Sequence, residues 1–304
     1  MKKLEDIQIL VVGDIMLDKY VVGDVSRISP EAPVPIVRVN NEYSTLGGCG
    51  NVVRNIAELG ARVTCSASVG NDGAGRVILS LLDNIGAISK LVFDSRLTSV
   101  KERIIADQRM VQMLRIDREI NDFVDHKKVI AEMKSRNKFE YDMIVVSDYN
   151  KGMICLDLMD YLRTLDIPII IDPKPCNGFI YDRPLMITPN KEEWNDMGEA
   201  AECNPEFVLV TEGRDGMTLY DYRQGSAQIK IPGKPVDVYN VSGAGDTVVA
   251  VMALCLALDI YPDKAARIAN DCAAYVVTQA GTSTVPKNIF MNSISNHYPT
   301  MNNL

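Results

Sequence analysis

The chain is predicted to fold as an α/β protein built on a doubly wound, mainly parallel sheet. Two observations carry that expectation: short, wholly apolar runs recur along its 304 residues, and amphipathic stretches of helical spacing separate them. Strands that are apolar on successive residues belong to a sheet covered on both faces, and the intervening helices supply the cover.

The strand-like runs are residues 7–12, 63–69, 143–147, 167–171, 185–188 and 207–211. Between them, residues 51–59, 77–85, 127–134 and 157–165 collect their apolar side chains on one helical face. Residues 236–241 read as a further strand, and 248–258 as a buried helix. Segments 20–40 and 99–116 break this rhythm: they are rich in Val, Ile and Arg with loose alternation, as expected of a small antiparallel sheet projecting from the core. Pro30, Pro33 and Pro35 in the first of them favour an edge or an extended bend. A lid over a ligand, a peripheral sheet and a dimer interface are all compatible with such segments. With no low-complexity linker, tandem repeat or break in composition, residues 1–304 read as a single domain.

An apolar content of 47% with 24% charged residues is ordinary for a globular protein, and a net charge of −8 argues against nucleic acid or an anionic membrane as the main partner. The seven cysteines include no C-x-x-C pair, so neither a disulfide framework nor a zinc site is expected. With only His126 and His297 available, the chemistry must rest on carboxylates, backbone amides and Lys or Arg. The first apolar run is too short for a signal h-region or a membrane span, and the protein is read as cytoplasmic.

In sheets of this kind ligands bind beyond the carboxyl ends of the strands, and that is where the polar residues fall. Ser242-Gly243-Ala244-Gly245-Asp246-Thr247 opens the buried helix, placing glycines, free amides and a carboxylate where phosphate charge is stabilised. An ordinary glycine-containing turn is the competing reading of that hexapeptide. Gly47, Gly48 and Asn51 before the first helix permit close approach of a ligand and offer an amide to hydroxyls, or simply cap the helix. Asp14 and Asp18 after the first strand are candidate acceptors for sugar hydroxyls, or a polar turn. Lys101, Arg103, Arg109 and Arg115 lie in the second irregular segment, where Lys101 and Arg103 are the better candidates for an anionic substrate. Asp172 and Lys174 form an acid and base pair after an apolar strand. Asn190, Lys191, Glu192 and Glu193 follow the next strand, where Asn190 could hold a phosphate and Glu193 could organise Mg²⁺ through water. Thr211, Gly213, Asp215 and Gly216 suit a turn that grips nucleotide phosphates.

Taken together, these residues resemble the ribokinase-like, or phosphofructokinase B, family of carbohydrate kinases over residues 7–286, with Gly47, Gly48 and Asn51, Asn190 and Glu193, and Gly243 to Asp246 at the family's motif positions. Gly13 to Asp18, Arg27 to Pro35, Ser147-Asp148-Tyr149 with Lys151-Gly152, Asp172-Pro173-Lys174 and Gly281 to Val285 are similar to the D-glycero-β-D-manno-heptose-7-phosphate kinases of ADP-heptose biosynthesis. The resemblance implies a ribokinase-like sheet with a small β-sheet lid and ATP-dependent transfer to O1 of heptose 7-phosphate, giving heptose 1,7-bisphosphate. A kinase for another sugar, or a non-catalytic binding protein on the same fold, are the alternatives.

Asp246 would be the base, with the amides of Gly243, Ala244 and Gly245 as anion hole. Asp18, Gly47, Gly48 and Asn51 would hold the sugar, Lys101, Arg103 and Lys174 its phosphate. Asn190 to Glu193, Thr211, Gly213 and Gly216 would serve ATP and Mg²⁺, with Asn270 near the adenine. The family's lid often forms a homodimer. Two departures are visible: Asn240-Val241-Ser242 stands where relatives usually have Asp-x-Thr, whose Asp often helps to bind a monovalent cation, so the resemblance leaves K⁺ activation open, and Cys49-Gly50 replaces the small Ala-rich pair usual before Asn51, which could alter the sugar pocket. Many relatives carry a further nucleotidyltransferase domain; here that step is expected of a separate protein.

Overall fold

The computed structural model describes residues 2–119, 124–135, 140–198, 203–279 and 281–299. In chain order the elements begin β1 (Gln8–Gly13), β2 (Ile15–Ile28), β3 (Pro35–Gly48), α1 (Cys49–Leu59), β4 (Arg62–Gly70), α2 (Gly73–Asn84), β5 (Ile88–Asp94), β6 (Val100–Ala106), β7 (Val111–Arg118) and α3 (His126–Ser135). They continue β8 (Met143–Ser147), α4 (Leu156–Arg163), β9 (Ile169–Asp172), β10 (Met186–Ile187), α5 (Lys191–Asp196), β11 (Phe207–Thr211), β12 (Gly216–Asp221), β13 (Ala227–Pro232), α6 (Ala244–Ala257), α7 (Pro262–Val276) and α8 (Lys287–His297).

Nine strands form one sheet in the order β13-β12-β11-β10-β9-β8-β1-β4-β5. From β5 to β11 the pairing is parallel, and β12 and β13 close that edge antiparallel. Successive residues of each inner strand enter opposite layers: Ile9 and Val11 of β1 join one apolar cluster and Leu10 and Val12 the other, as do Met143 and Val145 against Ile144 and Val146 in β8. That two-sided burial is why these runs carry no polar alternation. Helix α6 is buried almost all round, packed on α1 and α7, so its sequence shows no polar stripe. The chain starts in mid-sheet at β1, winds out through β4 and β5, then crosses to β8 on the other side of β1. The switch point therefore falls between the ends of β1 and β8.

The irregular segments form a second sheet of four strands, β3-β2-β6-β7. Its strands run further than the alternation suggested: β2 leaves directly from the tip of β1, and β3 returns to Gly48 at the first turn of α1. The prolines sit as their chemistry requires, Pro30 and Pro33 in the turn and Pro35 at the start of edge strand β3. One expectation fails. Residues 236–241 form no strand; Val238 and Val241 are 56% and 70% exposed and border a cavity, so their apolar character serves a surface and not a sheet.

Candidate active site

Helix α6 starts where Gly243 takes φ 82°, and a Cβ there would lie 2.6 Å from Asn51 Nδ2. Only glycine satisfies both the left-handed backbone and the close approach. The Ala244 N–H donates to the Val241 carbonyl at 3.3 Å, so this member of the expected anion hole is engaged, whereas the Gly245 and Asp246 amides are first-turn donors with no intrahelical acceptor. Apart from its chain neighbours and the backbone of its own helix, nothing lies within 4 Å of where a Gly245 side chain would project.

Asp246 is buried. Its Oδ2 accepts from Asn51 Nδ2 at 2.8 Å and its Oδ1 from the Tyr149 hydroxyl at 2.7 Å. Burial pushes its carboxyl above the ordinary value, and the Asn51 and Tyr149 hydrogen bonds oppose that shift. Arg54 Nη1 lies 3.4 Å from Asn51 Oδ1, which fixes the amide with its nitrogen toward Asp246. Tyr149 has its own acidity pushed far down by burial and then by Asp246 and Asp172, so it stays a neutral donor.

Beside Asp246, under the four-stranded sheet, lies a cavity of about 110 Å³ lined by polar residues that include Asp18, Asn51, Lys101, Arg103 and Thr282. Gly47 and Gly48 line it as well; a Cβ on Gly47 would fall 2.8 Å from Asp18 Oδ2. Asp18 and Lys101 are register partners on β2 and β6, and Arg103, two residues along, donates to Asp18 Oδ1 at 2.9 Å. Tyr20 stacks on Tyr43 with centroids 4.7 Å apart and shares a 2.9 Å hydrogen bond with Thr282, tying the small sheet to the segment before α8. Arg115 pairs instead with Asp117 at 2.9 Å and does not border this cavity, and the Arg109 side chain lies outside the described residues.

On the other side of the α6 N-terminus opens a larger cavity of about 700 Å³, lined by Thr211, Gly213, Gly216, Gly245 and Asn270 together with Val236, Val238 and Val241. Its apolar wall suits a flat heterocycle and its glycine turns an anion. The Asn270 amide is committed to the Pro232 carbonyl at 2.9 Å.

Asn190 and Glu193 form a reciprocal capping box at the start of α5, and Glu193 also pairs with Lys174. The expected phosphate and Mg²⁺ residues are thus bonded to one another first. Lys191 and Glu192 are exposed and, with Asp172 and Lys174, border neither cavity. The Asp172 carboxyl is pushed well above its ordinary range by burial, Asp246 and Glu193.

Two expectations are corrected. Asp14 does not face the sugar cavity; its carboxylate accepts from the N–H groups of Tyr149, Lys151 and Met153 at 2.9, 3.0 and 3.0 Å and so shapes the turn after β8. Cys49 and Gly50 also turn into the core, Cys49 against Gly13 and Gly50 against Leu46 and Ile15, so they do not alter the cavity wall. Tyr149 and Thr282, which do line it, carry no local sign of that role, and only their place in the resembling segments singled them out; Ser242, which also lines it, belongs to the glycine motif at the start of α6. Among the described residues no cluster of His, Cys, Asp and Glu could hold a metal ion, and no helix is long and apolar enough to cross a membrane.

Comparison with known proteins agrees with this geometry. The chain matches the family described as pfkB family carbohydrate kinase over residues 6–288. It is 39% identical over 300 residues to "Bifunctional protein HldE" of Caulobacter sp. (strain K31), covering 91% of this chain and 60% of that protein, and 34% identical to the protein of the same name in Campylobacter curvus (strain 525.92), covering 91% and 63%. The chain therefore spans about 60% of the length of the curated relatives it matches. Among solved structures, phosphofructokinase-2 of Escherichia coli in complex with potassium superposes with a TM-score of 0.77 at 19% identity over 96% of this chain and 99% of that one. Ribokinase of Arabidopsis thaliana, complexed with ribose and ATP, gives 0.70 at 16% over 95% and 98%. These structural likenesses speak for the fold.

Proposed function

The chain belongs to the pfkB family of carbohydrate kinases, and from that premise we propose that it transfers the γ-phosphoryl group of ATP to O1 of D-glycero-D-manno-heptose 7-phosphate, giving heptose 1,7-bisphosphate. The observation that carries the reading is the position of Asp246: a buried carboxylate at the helix N-terminus that separates a small polar cavity from a large one with an apolar wall. The similarity to the HldE proteins supports the choice of a heptose phosphate.

In this reading Asp18, Gly47, Gly48 and Asn51 hold the sugar so that its O1 hydroxyl displaces Tyr149 or Asn51 from one Asp246 oxygen. Asp246 takes the hydroxyl proton as O1 bonds to the γ-phosphorus and the bond from that phosphorus to the β-bridging oxygen breaks, releasing ADP. The Gly245 and Asp246 amides receive the charge that develops on the transferring group. Thr211, Gly213 and Gly216 face the nucleotide. Glu193 would reach a Mg²⁺ ion through water, since each of its oxygens has a lone pair beyond the Lys174 and Asn190 bonds, and the ion would neutralise charge on the phosphates.

Free cysteines without a disulfide among the described residues suit a reducing cytoplasm. Ile28, Val39, Val111 and Leu114, exposed on the four-stranded sheet, support a homodimer formed through it, which light scattering would read directly. The function is tested by comparing kcat/KM with ATP across heptose 7-phosphate, fructose 6-phosphate, fructose 1-phosphate and ribose. Heptose 7-phosphate is expected to lead; preference for any other sugar removes the proposal and leaves a kinase of the same fold.

A further inference from the structure

We infer that Lys151 and Lys101 together form the subsite for the phosphate that the acceptor sugar already carries, and that Glu119 occupies their charge until that phosphate replaces it. This rests on the reading of the acceptor as a sugar phosphate.

The argument is one of charge and partners. Of the cations expected to meet that phosphate, Arg103 is neutralised by Asp18 at 2.9 Å, and Lys174 by Glu193 on the side of the capping box. Arg115 is matched by Asp117. Lys101 and Lys151 instead share one carboxylate: Lys151 Nζ lies 2.6 Å from Glu119 Oε2, and Lys101 Nζ 3.8 Å from Glu119 Oε1. The two ammonium groups share that one carboxylate at the edge of the sugar cavity, which Lys101 lines and across which it also acts on Asp246. A phosphate presents more acceptor oxygens and more charge than a carboxylate, so it is the better partner for the pair.

The placement is also right for a sugar phosphorylated at one end and reacting at the other. Lys101 stands 5.8 Å from the centre of the Tyr149 ring, and the hydroxyl of that ring is on Asp246, so the tyrosine has the cation beside its ring and the base at its hydroxyl. Lys151 is held in advance: its N–H donates to Asp14 and its carbonyl accepts from Arg96 at 2.8 Å. Glu119 follows β7 directly, and Lys101 is on β6, whereas Lys151 comes from the turn after β8. The subsite therefore bridges the small sheet and the core, and a phosphate bound in it touches both.

The test measures KM and kcat for D-glycero-D-manno-heptose 7-phosphate and for the unphosphorylated heptose, with Lys151→Gln, Lys151→Arg and Glu119→Gln beside the parent. Lys151→Gln is expected to raise KM for the phosphorylated sugar roughly 10- to 100-fold, the range for one hydrogen bond to a charged group, with a much smaller change in kcat. On the free heptose the loss is at least ten times smaller, Lys151→Arg recovers most of the affinity, and Glu119→Gln lowers KM by removing the competing anion. A KM within twofold of the parent in Lys151→Gln, equal losses on both sugars, or a raised KM in a folded Glu119→Gln overturns the assignment. If the parent turns over fructose 6-phosphate and not the heptose, the proposed substrate fails while the same comparison on fructose 6-phosphate and fructose still decides the subsite. If the parent uses no phosphorylated sugar, both fall.

Discussion

Replacing Tyr149 by Phe removes one hydroxyl and leaves the ring on which Lys101 and Lys174 lie, each 5.8 Å from its centre. What is lost is the 2.7 Å hydrogen bond to Asp246 Oδ1. That bond favours the ionised carboxylate, because burial raises the Asp246 value and the Asn51 and Tyr149 hydrogen bonds, with the charge of Lys101, oppose the rise. A hydrogen bond to a charged group contributes about 1.5–3 kcal/mol, so its loss should raise the Asp246 value further above the ordinary carboxylate range. A base must be deprotonated to work, so the acid limb of the kcat/KM profile moves to higher pH. The plateau above the limb falls less than tenfold, because Asn51 still orients the carboxylate. The assay is initial rate against pH with sugar and ATP each varied. An acid limb that stays in place would mean that Tyr149 does not hold the group that titrates, or that Asp246 is not the base.

Asp246→Asn should lower kcat by about 10²- to 10⁴-fold while equilibrium binding of ATP persists, and unchanged turnover would remove the base assignment. Since the Asp246 value is raised in the folded state, its ion costs stability once pH exceeds that value, so Asn at this position should not lower the urea midpoint at pH 8. Asp72 caps α2 and accepts from the Gly75 N–H, the Thr98 N–H and the Thr98 hydroxyl at 2.8, 2.9 and 2.8 Å; partial burial raises its value, but these bonds outweigh it and hold the carboxyl low. Asp72→Ala should therefore cost about 0.5–2 kcal/mol at neutral pH, and the difference from the parent should shrink as pH falls below about 4 through the depressed folded value, both read from denaturant melts. Leu254→Ala, fully buried in α6, should cost about 2–5 kcal/mol in the same melts. Exchanging K⁺ for tetramethylammonium should change turnover less than about twofold, because Asn240 is neutral and its side-chain carbonyl already accepts from the Ser242 N–H at 2.9 Å; strong K⁺ activation would show that another group supplies the cation site.

The inner strands were legible because burial on both faces leaves no polar residue to interrupt them, and residues 143–147 and 207–211 match β8 and β11 end to end. Asp246 was legible for a local reason, the glycines that its helix start demands. The failures have a common cause. Val238 and Val241 have the composition of a strand, yet their apolar side chains face a cavity, and composition does not tell a strand's partner from a ligand's. Asp14 looked like a ligand residue because it ends a strand, and the N–H groups that occupy it lie more than a hundred positions onward. Tyr149 was named only within a resembling segment and given no role, because its contact with Asp246 spans 97 positions and follows no spacing rule. Lys151 was named only within a resembling segment and Glu119 not at all, because only the packing of the small sheet on the core brings them together.

The most direct measurement is phosphorus NMR of the product formed from ATP and D-glycero-β-D-manno-heptose 7-phosphate. With Asp246 facing O1, a single new sugar phosphate coupled to the anomeric proton should appear, beside the retained 7-phosphate, in equal amount to ADP. Phosphate on any other carbon, or ADP and inorganic phosphate without a new sugar ester, would contradict the account.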